Sequence, residues 1–428
     1  MNILLSSVKI IDPRSAFHDQ KHHVFISNGI IKNIGSPKRK GDKKGYKVDK
    51  VIDSMNLVLS PGWFDMRVSL RDPGFEHKED IVSGCQAAAY GGFTEIACLP
   101  NTNPVIQTKD VIAYIKNKCA DNLVEVYPIA GISVDNKGLE LTEMIDLHHA
   151  GAVAYSDGEK PVWHTDVLVR ALQYIRLFDG VLINHAEDMQ LTQSGCMNEG
   201  KMSTMLGMKG MPKIAEELMI ARDIKLLEYT ESRIHFSHIS TAGSVSLIKS
   251  AKAKGLHVTC DIAAHQIAFD DTALSTFDTN FKVNPPFRNK EDIKALWKGL
   301  ADGTIDAIVS DHSPHDEESK KLEFDLAEFG IIGLETAFAV INTFNKNLNL
   351  EHLIEKFTYN PRKILGIEIP KIEPGQAANL TLFDPDKEWT FTEENIRSKS
   401  KNSPFIGKKL KGKVVAVFNK GKVFEIGK

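Results

Sequence analysis

Eight short apolar segments, each closed by a polar cluster and followed by a helical pattern, fill the middle of this chain. They are WFDMRV, FTEIACLP, VEVYPIAGI, AVAYSD, VLINHAED, IHFSHIS, HVTCDI and AIVSDHSP. The stretches between them, such as DVLVRALQYIRLF and GSVSLIKSAKA, carry apolar residues at i, i+3 and i+4, as an amphipathic helix requires. Eight alternating βα units in about 250 residues predict a closed parallel (β/α)8 barrel of the TIM type. Chemistry in such barrels collects at the C-terminal ends of the strands. Asn101, Asp157, His185, His238 and Asp311 fall at those ends.

Both ends of the chain read differently. Residues 1–55 and 375–428 are rich in strand-like runs, with Asn28-Gly29 and Asn419-Lys420-Gly421 as turn signals. The two ends are expected to meet in one small β-sandwich domain, leaving 56–374 to the barrel. Net charge is −3, which gives no reason to expect nucleic acid or an anionic membrane surface as partner. The one basic cluster, Lys38, Arg39, Lys40, Lys43 and Lys44, lies beside Gly41 and Gly45 and reads as a solvated loop. Five scattered cysteines without a CxxC pair fit reduced thiols in a cytoplasmic protein. The start, MNILLSSVKIIDP, lacks the pattern of a secretory leader, and no apolar run approaches the roughly 20 residues of a membrane span.

Each polar strand end has a bland reading and a chemical one. A lone buried histidine is usually a hydrogen-bonded core residue. His185 and His238, at equivalent positions in neighbouring units and with acidic residues at two other strand ends, favour a shared metal site, because neutral imidazoles plus a carboxylate suit zinc and related ions. Asp157 would be that carboxylate, although by itself it reads as a turn residue before Gly158. Asp311 in IVSDHSPH can serve as an acid–base carboxylate, or as a helix N-cap followed by Ser313 and Pro314. His315, four residues on, is placed to face the same cavity. Asn101 and Asn284 sit against prolines and could simply cap turns. Arg71 could be a surface cation, but beside a metal cavity its guanidinium is suited to clamp a carboxylate.

Taken together, PGWFDMRVSLRDPGFEHKEDIVSGCQAAAYGGFTEIACLPNTNP, NHAED, HISTAGSV, KVNPPFR, DGTIDAIVSDHSPH, GIIGLETA and SKSKNSPFIGKKLKGKV resemble the dihydroorotase family, in the long form that accompanies aspartate carbamoyltransferase. The resemblance spans nearly the whole chain in the family's order. It implies an amidohydrolase barrel with a terminal β domain, and the interconversion of N-carbamoyl-aspartate and dihydroorotate in pyrimidine synthesis. It also implies zinc or a similar divalent metal, an association with aspartate carbamoyltransferase, and assembly as a homo-oligomer. By the same resemblance His185, His238 and Asp157 match the ligands of the second metal position. Asp311 matches the catalytic carboxylate. Arg71, Asn101, Asn284 and His315 match the groups that bind the substrate.

One departure is severe. Where the family reads D-x-H-x-H, this chain reads Asp65-Met66-Arg67-Val68-Ser69. Arginine stays protonated and is not a metal ligand, so at most one metal per chain is expected. Two smaller departures are SDGEK after the fourth strand and Glu328 in AEFG, where proline is common in the family. A bound metal lowers the pKa of water from about 15.7 to about 7, so losing that activation removes roughly 11 kcal/mol of nucleophile ionisation. Three readings follow, in order. The first is a dihydroorotase-like protein of low or no activity, kept as a partner of aspartate carbamoyltransferase. The second is an active one-metal dihydroorotase. The third is a hydrolase of another cyclic amide or ureide. Arg67 is expected to reach the vacated position, pair with Asp311, with Asp157 as a further candidate partner, and lower the pKa of Asp311.

Overall fold

The computed structural model describes residues 1–35, 48–53, 55–346 and 348–426. The Lys38–Lys44 cluster lies outside the described residues. All eight expected segments form strands: Trp63–Val68, Phe93–Cys98, Glu125–Ala130, Ala154–Tyr155, Leu182–His185, Ile234–Ser237, Val258–Ala263 and Ala307–Val309. They pair in sequence order in one sheet, each parallel to the next. The first and last strands meet through a parallel bridge between Val68 and His312, where Ser69 N donates to His312 O at 2.9 Å. This closes the (β/α)8 barrel.

Two apolar layers account for the closure. Phe64, Met66, Ala97, Leu99, Ile129, Ala154, Ile183, Ala263 and Val309 form one buried cluster drawn from seven of the strands. A larger cluster combines strand residues with the buried stripes of the helices, such as Val167, Leu168, Ala171, Leu172 and Ile175 of the helix Thr165–Arg176. Period-2 strands facing period-3.6 helices can bury both apolar faces only in this layered form.

The chain's two ends meet. Strands Asn2–Ile10, Lys21–Ser27, Ile30–Gly35, Lys50–Asp53 and Val58–Pro61 join Leu380–Thr390, Lys409–Asn419 and Lys422–Glu425 in one eight-stranded sheet. Both turn signals act as expected. Asn28 and Gly29 take φ of 48° and 75° between Ser27 and Ile30, and Lys420 and Gly421 take 52° and 72° between Asn419 and Lys422. Two successive positive φ values match the right-handed strand twist. Among the described residues no helix is long and apolar enough to cross a membrane. All five cysteines are buried and unpaired.

Trp63, fully buried at the start of the first barrel strand, fixes the barrel to the terminal sheet. Its ring packs against Phe93, Phe338, Phe357 and Phe383, and its Nε1 donates to Ser60 Oγ at 3.0 Å. A polar joint lies nearby. Arg362 Nε donates to Glu95 Oε2 at 2.7 Å, and Asn379 Nδ2 donates to Glu95 Oε1 at 2.8 Å. Arg362 is wholly buried. Removing one partner of a buried pair strands the other charge. Arg362→Leu should therefore lower the unfolding free energy by about 3–5 kcal/mol in urea titration. Adding Glu95→Gln should recover part of the loss; a loss under 1 kcal/mol for Arg362→Leu alone, about the worth of an exposed pair, would contradict this account.

Candidate functional site

The cavity lies where the strands end. It holds about 170 Å³ and is lined by Arg67, Glu159, His185, His238, Asn284, Asp311, Ser313, His315, Glu328, Phe329 and Gly330. Of the expected site residues, His185, His238, Asn284, Asp311 and His315 therefore come together. Arg71 joins them indirectly, through contacts to Glu159, Ser313 and His315. Arg71, His238 and Asp311 have φ of 59°, 42° and 51°. Left-handed backbone is uncommon for such residues and concentrates at functional sites. It also rules out the helix-cap reading of Asp311, since the helix Glu317–Lys320 begins from Asp316.

Arg67 faces Asp311. Its Nε donates to Asp311 Oδ1 at 2.8 Å, and its Nη1 lies 3.5 Å from Ser237 Oγ. The register between the first two barrel strands shifts between Asp65 and Val68, the stretch that carries Arg67. Such irregularities re-aim side chains near active sites. The expected pairing is present, but the expected drop in the Asp311 pKa is not. Burial pushes the Asp311 carboxyl up to about 6, and the Arg67 guanidinium only moderates the rise.

The imidazoles form a second group. The rings of His185 and His238 have centroids 4.7 Å apart. His185 Nε2 is 2.8 Å from Glu187 Oε2, which also accepts from Asn284 Nδ2 at 2.8 Å. His238 and His265 are buried, with ring nitrogens that have no hydrogen-bond partner among the described residues. Burial, with Arg67 and His185 adding to it for His238, pushes both histidines down, His265 to about 3. His265, in AAHQ just after the seventh strand, approaches Asp311 Oδ2 to 3.9 Å. Its place after a barrel strand was the signal that could have nominated it.

The family's metal needs at least three donors. Asp157 does not join the two imidazoles here. Its Oδ1 accepts from Ser133 N at 2.9 Å and its Oδ2 from Ser133 Oγ at 2.5 Å. Among the described residues no group of three or more histidine, cysteine or acidic side chains is arranged to hold an ion. This arrangement does not fit a bound metal.

Asn101 is occupied as well. Its Oδ1 accepts from Glu159 N at 3.0 Å and its Nδ2 donates to Asp157 O at 3.4 Å, so it clasps the turn around Gly158. Gly158 has φ of 68°, and a Cβ there would lie 1.7 Å from Asn101 Oδ1, so only glycine fits. The clasp delivers Glu159 into the cavity. Its Oε1 lies 3.1 Å from Arg71 Nη2 and accepts from Ser69 Oγ at 3.4 Å. Burial raises the Glu159 pKa, but Arg71, His315 and Arg67 outweigh it and hold the carboxyl below its ordinary value.

Comparison with known proteins agrees with this frame. Residues 56–244 match the Dihydro-orotase-like family and residues 210–424 the Amidohydrolase family. The chain is 44% identical over 429 residues to the dihydroorotase of Geobacter metallireducens, covering 99% of both chains. It is 44% identical over 426 residues to that of Pelotomaculum thermopropionicum, covering 99% and 98%. Among solved structures, the L-hydantoinase (dihydropyrimidinase) of Arthrobacter aurescens superimposes with a TM-score of 0.85 at 24% identity, covering 100% of this chain and 96% of that one. The D-hydantoinase of Thermus sp. gives 0.81 at 19%, covering 100% and 97%. These two likenesses carry the fold alone. With 44% identity over the full length to named dihydroorotases and a match to the Dihydro-orotase-like and Amidohydrolase families, the chain belongs to the dihydroorotase family of the amidohydrolases.

Proposed function

We propose that this chain binds the family's ring ligand, dihydroorotate, and its ring-opened form, N-carbamoyl-aspartate, and interconverts them slowly or not at all. The observation that carries this reading is the 2.8 Å contact of Arg67 Nε with Asp311 Oδ1. A permanently protonated guanidinium can neutralise the buried carboxylate. It cannot accept a water as a ligand or ionise it. Asp311 is thereby supplied with a partner that gives charge but no nucleophile. Asn284 and His315 nonetheless line the cavity, and Arg71 reaches it through Glu159, Ser313 and His315. A role beside aspartate carbamoyltransferase is part of the proposal, since the sequence resembles the long form that accompanies that enzyme.

A second reading keeps catalysis with one ion on His185 and His238. What favours it is the pair of unpartnered ring nitrogens on buried His238. Asp157 would then have to leave Ser133.

Metal content tests the assumption that the two readings share. After incubation with excess zinc and gel filtration, elemental analysis should give at most one ion per chain. Two ions would sink both readings, because each assumes the first position is lost with Arg67 and Ser69.

Arg67→His combined with Ser69→His should raise the bound metal count. It should also raise dihydroorotate hydrolysis by at least about a hundredfold, since a Lewis-acid metal is worth several kcal/mol in such reactions. A parent protein that already turns over as fast as the double variant would refute the low-activity reading.

Dihydroorotate should bind the parent protein, and Arg71→Ala should weaken that binding about tenfold or more, as loss of a charged hydrogen bond does. Calorimetry at millimolar ligand measures this. An unchanged affinity in Arg71→Ala would remove Arg71 from the ligand site.

A further inference from the structure

Glu159 has no obvious structural task. Its backbone is held by Asn101, and its side chain lines the cavity, where it meets Ser69 Oγ and Arg71 Nη2. Arg71 is 6% exposed and keeps Ser313 Oγ at 2.9 Å and His315 Nε2 at 3.3 Å as further partners. The pair therefore sits at the carboxylate clamp rather than in the fold's core. A carboxylate on that guanidinium is what a ring ligand bearing a carboxylate would itself contribute.

We infer that Glu159 is a specificity-determining residue that seats the chain's own carboxylate on Arg71, so that the cavity disfavours ring ligands carrying a carboxylate relative to the same rings without one. The inference rests on the reading that this cavity binds the family's ring ligand. Cavity charge supports it. Arg67 faces Asp311 and Arg71 faces Glu159, so each guanidinium already has its carboxylate. A ligand carboxylate must displace Glu159 or enter as an unpaired negative charge beside it. When a site is competent only while a resident group is away, apparent affinity falls by the competent fraction. A seat filled about nine times in ten weakens the incoming carboxylate about tenfold. A neutral ring, which makes no claim on Arg71, is spared.

Glu159→Gln keeps the shape and removes the charge; Glu159→Ala removes the group. Calorimetry on the full chain compares the parent with both variants, using dihydroorotate, dihydrouracil (the same ring without its carboxylate) and succinate. Both variants should bind dihydroorotate and succinate at least tenfold more tightly than the parent, with dihydrouracil changed less than twofold. Dihydroorotate affinity within twofold of the parent in both variants would overturn the inference and leave the ring-binding reading standing. A gain shared equally by dihydrouracil would also overturn it, as general loosening of the cavity. If succinate separates the proteins while neither ring binds any of them, the seat is upheld and the ring-binding reading falls. If no probe binds any protein, both fall.

Discussion

The seam of the barrel depends on one buried carboxylate. Asp65 Oδ1 accepts from Arg67 N at 3.0 Å and its Oδ2 accepts from Ser310 N at 2.9 Å, so a single side chain ties the first strand to the segment leaving the last. Asp65 is wholly buried, and burial pushes its carboxyl up to about 7. Arg67 stands two residues beyond Asp65, and Asp311 one residue beyond Ser310. The Arg67–Asp311 pair is thus built on the same seam, and its 2.8 Å geometry is fixed by backbone on both sides. The closing bridge between Val68 and His312 lies one residue further along each chain. Closure and site chemistry are therefore one construction.

That construction explains why so much was legible in order and so little in orientation. The strand segments, the Asn28-Gly29 turn and the strand-end histidines are local patterns, set by periodicity and turn chemistry. The Arg67–Asp311 pair could be read because both residues flank the barrel's closing strands and a buried charge demands a partner. Asp157 could not be read. Its direction depends on Ser133, 24 residues away in the loop after the third strand, which offers a backbone and a hydroxyl donor together. The sign of the Asp311 shift is not legible for another reason. Sequence names a nearby cation but not the depth of burial, and depth prevails here. Glu159 was visible as an oddity in SDGEK, but its seat on Arg71 needs the Asn101 clasp and the positive φ of Gly158, which only the folded turn supplies.

The site's electrostatics also constrain how it could hold a metal. Replacing Arg67 alone by histidine would add one imidazole while removing the cation that faces Asp311. Asp311 would then lie buried near His265 and within the field of Glu159, with no guanidinium in contact. Such a carboxyl takes up a proton rather than remain charged, and a protonated carboxyl is a poor metal donor. Replacing Ser69 alone leaves the guanidinium on Asp311. Each single change is unfavourable, and only the pair supplies both donors while clearing the cation. The arginine seated on Asp311 thus supplies the positive charge that this buried carboxylate needs.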